Sequence, residues 1–206
     1  MYWSLLPRNL LLWVLTPLVA IASLRWMVID LNTVMPHVVY HWEWGPTVFF
    51  MHVGLAPVAL LLVPFQFWSN LRKRRPRLHR WLGRLYAVSI LLSGVAGLIM
   101  GINTEAGIVA SWGFICLAVV WLLVTGNAVR LAIQRQISRH KTWMIRSAAL
   151  TMAAVTLRVY LPGLAWGFGF ETGYTIVAWL CWVPNMIVAE WLIARDPTRR
   201  RAVPAQ

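Results

Sequence analysis

Acidic residues are scarce in this chain: six Asp and Glu stand against nineteen Lys and Arg. Cysteine is scarcer, with only Cys116 and Cys181. Two thiols give no disulfide framework and too few ligands for a metal site. Both fall inside apolar runs, where a cysteine reads as a small packing residue. No Ser-His-Asp set, phosphate-binding Gly loop, HExxH or CxxC pair is present, so the familiar soluble chemistries have no support. Room for a soluble domain is lacking as well, because 60% of the 206 residues are hydrophobic. The first apolar run follows Arg8 and ends at Trp26, Met27, Val28 and Ile29, with no small-residue cleavage site. It therefore reads as a retained helix, not a removed signal peptide.

What is present is a repeated apolar run. Such runs recur at about 9–30, 47–69, 82–101, 110–131, 143–162 and 173–194. Each is long enough to cross a bilayer core as a helix, which takes ~20 residues. Basic and acidic loops alternate between them. One basic segment carries Arg72, Lys73, Arg74, Arg75, Arg77, Arg80 and Arg84; the next carries Arg130, Arg135, Arg139, Lys141 and Arg146. The tail adds Arg195, Arg199, Arg200 and Arg201. The opposite loops hold Asp30, Glu43, Glu105 and Glu171, with no Lys or Arg.

Lys and Arg are retained on the cytoplasmic side, so the expected fold is a single all-α bundle over 1–206, with six spans and both termini inside. Loops 71–81 and 132–142 are then cytoplasmic, and 31–46, 102–109 and 163–172 lie outside. The basic charge is topology, and no nucleic-acid partner is expected although a basic chain often signals one. Anionic lipid headgroups on the cytoplasmic side are the expected partner of the exposed arginines. Trp42, Trp44, Trp68, Trp81, Trp112 and Trp143 near span ends form an aromatic belt.

Intramembrane ionisable residues are costly and mark function by default. Here they sort into two tiers by depth. The outer tier holds Arg25, His52 and Arg158, with Glu105 and Glu171 above it as partners. An inner tier holds Gln66, His79, Arg84, Tyr86, His140, Arg146 and Glu190, while Asn185 sits near mid-membrane. Glu190 matches the depth of Arg84, Arg146 and His79 and is expected to pair with one of them. His52 and His79 cannot share a ligand, because about seventeen residues of helix separate their levels by ~25 Å. Ser93, Gly97 and Gly101 at four-residue spacing, with Gly94 beside them, let helix backbones approach or leave room for a flat cofactor.

Two histidines enter their helices alike, in His79-Arg80-Trp81-Leu82-Gly83-Arg84 and His140-Lys141-Thr142-Trp143-Met144-Ile145-Arg146. Neutral imidazoles ligate haem iron, and helix bundles hold haem between helices. His79 and His140 at equal depth are therefore candidates for the axial ligands of a haem b, with Arg84, Arg146 and Lys141 toward the propionates. At the outer tier His52 has His41, His37, Met51 or Met100 as conceivable partners for haem iron. His37 and His41 are four apart and share a face for a metal if that stretch is helical, although Pro36 and Pro46 argue against a long helix. A polar pocket for a quinone, a lipid or another anionic small molecule uses the same residues.

The strings Pro64-Phe65-Gln66-Phe67, Leu78-His79-Arg80-Trp81-Leu82-Gly83-Arg84-Leu85-Tyr86 and His140-Lys141-Thr142-Trp143-Met144-Ile145-Arg146-Ser147 resemble the domain-of-unknown-function 2306 family of bacterial membrane proteins. His52 before the Phe-Gln-Phe string, Leu157-Arg158, and Pro184-Asn185 with Glu190 fit the same pattern. The resemblance covers most of 45–195. It departs at Lys141, where Arg is expected, and at Val63, where Gly often stands. It implies a multi-pass membrane protein and no established activity.

The expected function is a small bacterial inner-membrane redox protein passing electrons through haem b to a redox partner. The alternatives are a colourless transporter or quinone-binding protein, and a structural or assembly subunit. A homo-oligomer is compatible with all three, and whether the protein is an enzyme stays open.

Overall fold

The computed structural model describes residues 11–195. The first residues of the expected first span and the arginines of the tail, Arg199, Arg200 and Arg201, lie outside them. Among the described residues the chain is helix and turn, with no strand. Five helical stretches are long and apolar enough to cross a membrane: Pro46–Phe67, Pro76–Ile102, Ile108–Ile133, Ile137–Phe168 and Phe170–Ala194. Between 28% and 39% of the apolar window of each is buried within the protein. The remaining apolar surface, such as Leu91 and Leu123 at 55% and 67% exposure, faces outward from mid-span. Lipid is the solvent that suits such a surface, since apolar side chains need no cover there.

Of the six expected spans, five are long enough among the described residues, and the first begins outside them. The first run forms a π turn at Leu11–Leu15, helix α1 at Thr16–Ser23 and a 3-10 turn at Arg25–Met27. Its described apolar part is Leu12–Met27. Two short helices follow, α2 at Leu31–Val34 and α3 at Tyr40–Trp44. Asp30 caps α2 by accepting the Thr33 backbone N–H at 3.2 Å. Such a cap satisfies one of the donors orphaned at a helix start.

Helix α4, Pro46–Phe67, runs unbroken through Pro57 and Pro64. Proline at its first turn costs nothing, because that N–H has no helical partner anyway. A basic connector, α5 at Ser69–Arg74, leads to α6 at Pro76–Ile102, and α7 follows at Ile108–Ile133. The fifth stretch comprises α8, Ile137–Thr151, and α9, Ala153–Phe168, and the sixth α10, Phe170–Leu180, and α11, Val183–Ala194. Gly169 joins α9 to α10 with φ +80°, a backbone that L side chains rarely adopt. That turn folds the sixth stretch back on the fifth.

In the bundle α4 packs on α6, α6 on α7, α7 on α8 and α10, and α11 on α8. The small-residue stripe of α6 serves this packing: Gly94 lies against Leu122 and Gly101 against Ile115, both on α7. The two interrupted helices are tied at their breaks. Asn185 Nδ2 donates to the Ala149 carbonyl at 3.2 Å and to Thr156 Oγ1 at 3.1 Å. Thr156 Oγ1 in turn donates to the Cys181 carbonyl. Interrupting a membrane helix frees carbonyls that must find donors inside the protein, and Asn185 supplies one of them.

Candidate functional site

The charge pattern gives the bundle two ends, one bearing the basic loops and one the acidic loops. A cavity of about 410 Å³ opens inside the bundle at the acidic-loop end. Its rim comes from the segment before α4: Arg25, Met35, His37 and His41. His52 of α4, Gly97 and Met100 of α6, Arg158 of α9 and Tyr174 of α10 complete its polar upper part. Leu60, Trp121, Leu150 and Thr151 line it further toward mid-membrane. An outer vestibule of about 630 Å³ shares His37, Phe170 and Tyr174 with it and is flanked by Glu105 and Glu171.

The polar side chains of the cavity are held in different ways. His52 Nδ1 donates to the Ser93 carbonyl at 2.8 Å. A carbonyl can only accept, so this bond fixes the tautomer and leaves Nε2 as an acceptor. The ring lies so close to α6 that a Cβ on Gly97 would meet its Cε1 and Nδ1 at 2.9 Å. His41 is 4% exposed, and its Nδ1 has no hydrogen-bond partner. Burial, and then the nearby His52 imidazole, push the His41 imidazole down to about 4. His41 is therefore neutral at neutral pH. His37 instead stacks on Phe170, with ring centroids 3.7 Å apart.

Arg158 Nη1 donates to the Ala154 carbonyl at 2.8 Å. Arg25 donates through Nη1 to the Ala22 carbonyl at 2.9 Å and through Nη2 to that of Val34 at 3.2 Å. The two guanidinium groups are near enough to repel each other. Glu105 and Glu171 were expected to pair with them, but among the described residues the ion pair within 4 Å is Arg146–Glu190. Glu105, in the loop before α7, and Glu171, in the first turn of α10, are exposed and line the vestibule instead.

The family model described as predicted membrane protein (DUF2306) matches residues 49–193. The chain belongs to that family. No curated protein and no solved structure matches it. The DUF2306 segment contains His52, Gly97, Arg158 and Tyr174, whereas Arg25, His37 and His41 precede it. The family core thus supplies most of the cavity wall, and the preceding segment supplies its polar rim.

The inner-tier residues of this DUF2306 protein divide among several roles at the basic-loop end. Arg146 clasps Glu190 with two bonds, Nε to Oε1 at 2.5 Å and Nη2 to Oε2 at 2.8 Å. It also lies over the Trp143 ring at 4.9 Å. Arg84 lies over Trp81 at 5.9 Å. His79 and His140 are each the fourth residue of their helix and are close enough to interact electrostatically. His140 Nδ1 donates to the Ala128 carbonyl at 2.8 Å, while His79 Nδ1 is buried without a partner. Gln66 is buried against Gly83 and donates to the Leu62 carbonyl at 3.3 Å. Neither the cavity nor the vestibule reaches this pair.

His37 and His41 do not share a helix face, because His37 sits in the turn before α3 begins at Tyr40. Among the described residues no three His, Cys, Asp or Glu side chains gather as a metal site.

A buried hydroxyl network escaped the sequence reading. Tyr86, 1% exposed, reaches across from α6 to Ser147 Oγ at 2.9 Å and Thr151 Oγ1 at 2.8 Å on α8. Thr125 Oγ1 lies 2.7 Å from Ser147 Oγ, and Trp121 Nε1 donates to Thr151 Oγ1 at 3.0 Å. Thr151 itself donates to the Ser147 carbonyl at 2.9 Å. One assignment satisfies every group: Thr125 donates to Ser147, Ser147 to Tyr86, and Tyr86 to Thr151. The network lies directly beneath the cavity, whose lower wall includes Trp121 and Thr151.

Proposed function

We propose that this DUF2306 protein binds an amphipathic small molecule of the quinone or lipid class in the cavity at its acidic-loop end. The supporting observation is the cavity itself. It is a pocket inside a membrane bundle, mostly apolar in its walls, with Arg25, His41, His52 and Arg158 at one end. Ligand sites commonly combine apolar walls with a few convergent polar groups in this size range. A bundle held only by side-chain locking would close that space, because interiors pack densely. The positive-inside rule places the basic loops in the cytoplasm, so the cavity opens on the outer face of a bacterial inner membrane.

The test is thermal unfolding of purified protein with a decyl-tailed quinone and a panel of lipid-like amphiphiles. A ligand present at about 100 times its Kd stabilises the folded state by about 2.7 kcal/mol. Ala154 lines the cavity, and Ala154→Trp should fill it and abolish the shift. Equal shifts in both proteins reject the cavity as the site.

Haem b is a second reading, supported by the His52 tautomer. With Nδ1 bonded to Ser93, Nε2 is the atom left for iron, the pattern in which a backbone carbonyl orients a ligating imidazole. Protein from haem-replete cells should then show a Soret band that shifts on reduction and is lost in His52→Ala. A colourless preparation rejects this reading and leaves the first in place.

A further inference from the structure

We infer that the ligand carries an anionic head, a carboxylate or a phosphate, seated between Arg25 and Arg158. This rests on the reading of the cavity as a binding site and specifies the chemistry of its occupant. The two arginines come from distant parts of the chain, one in the turn after α1 and one within α9, yet both line the same space. They stand close enough to repel each other. Each bonds only backbone carbonyls among the described residues, Ala22 and Val34 for Arg25 and Ala154 for Arg158. Carbonyl dipoles orient a guanidinium but do not neutralise it.

An arginine within a membrane bundle pairs with an opposite charge or with backbone carbonyls, and often marks a ligand path. Arg146 shows the first solution at the opposite end, clasped to Glu190. Among the described residues no carboxylate lies within 4 Å of Arg25 or Arg158, and Glu105 and Glu171 line the vestibule. A pair of planar forks facing one space suits an oxyanion, to which arginine can donate two parallel bonds. His41 and His52 stand at the same level with imidazole nitrogens not used by the protein. Below them the walls include Leu60, Leu117 and Leu150. Seven residues of helix separate Arg158 from Thr151, a depth of about 10 Å at helical rise. That length accommodates an alkyl tail beneath a polar head.

The test is equilibrium binding of three radiolabelled probes to the full chain in neutral-lipid nanodiscs: dodecanoate, dodecyl phosphate and dodecanol. The three share a tail and differ in head charge. At least one anion should bind about tenfold or more tighter than dodecanol, as a charge-assisted bond to arginine implies. Arg25→Gln with Arg158→Gln should erase that difference, bringing anion binding down to the level of dodecanol. Arg158→Lys keeps the charge and should retain most of the preference, with thermal melts confirming that each variant is folded. A preference for dodecanoate points to a fatty-acid-like ligand, and one for dodecyl phosphate to a phospholipid. Equal binding of all three, unaffected by the Gln variants, overturns the anionic head but keeps the cavity as a binding site. Binding of none overturns both.

Discussion

The His52 imidazole rests on Gly97, where the hydrogen in place of a methyl is what admits the ring. This contact couples the small-residue stripe of α6 to the cavity. Gly97→Ala places a Cβ 2.9 Å from two ring atoms, too close for either to stay. Overpacking of this kind costs about 1–3 kcal/mol. The variant should lose that much stability in thermal or denaturant unfolding, and its ligand-induced stabilisation should fall with the displaced His52. His52→Ala in the Gly97→Ala background should recover part of the stability, because the clash is removed.

Arg146 and Glu190 should show measurable coupling in a double-mutant cycle of unfolding. Their bonds are bidentate, but the side chains are 19% and 50% exposed, so solvent screens part of the interaction. The expected coupling is about 1 kcal/mol. Glu190→Gln should cost less than Arg146→Met, since Arg146 also loses its contact with Trp143.

Stability should fall as the medium is acidified from about 6.5 to about 4. The His41 imidazole is pushed down to about 4 in the fold, against ~6.5 in an unfolded chain. The unfolded state therefore binds the proton first. The neutral histidine's contribution is complete above the unfolded value and is lost as pH falls through the folded one. His41→Gln should flatten the unfolding profile across this window; an unchanged profile removes His41 as the cause.

Tyr86→Phe should destabilise the bundle modestly, by about 0.6 kcal/mol and at most ~2 kcal/mol, as interhelical hydrogen bonds in membranes do. The loss should exceed that of Tyr160→Phe, whose side chain is exposed. Chemical denaturation in mixed micelles reads the difference.

Much of this architecture was legible in the sequence because a membrane imposes simple rules. Apolar length located the five long helices, and the charged approach to α6 hid only its first turns, so that 82–101 became Pro76–Ile102. Depth along a helix also survived: Glu190 meets Arg146 because the two stand at one level. The first span begins outside the described residues, and its described part runs from the π-helix at Leu11–Leu15 to the 3-10 turn at Arg25–Met27. Convergence was legible only in part. Arg25, His52 and Arg158 share a tier in sequence, but their union with His41 and Tyr174 on one cavity depends on which helices are neighbours. Thr125, Ser147 and Thr151 gave no signal, because hydroxyls in apolar helices ordinarily bond their own backbone. The likeness of His79 and His140 at their helix starts was real, yet the cavity opened at the other end.

The central claim, that the acidic-loop cavity holds a small amphipathic molecule, is tested most directly by native mass spectrometry of protein released from its own membrane. The wild-type chain should carry a discrete bound mass that dissociates as one species. Ala154→Trp, folded by its thermal melt, should carry none. The same adduct on both proteins, or no adduct on the wild type even after incubation with the quinone and the anionic amphiphiles, would contradict the account.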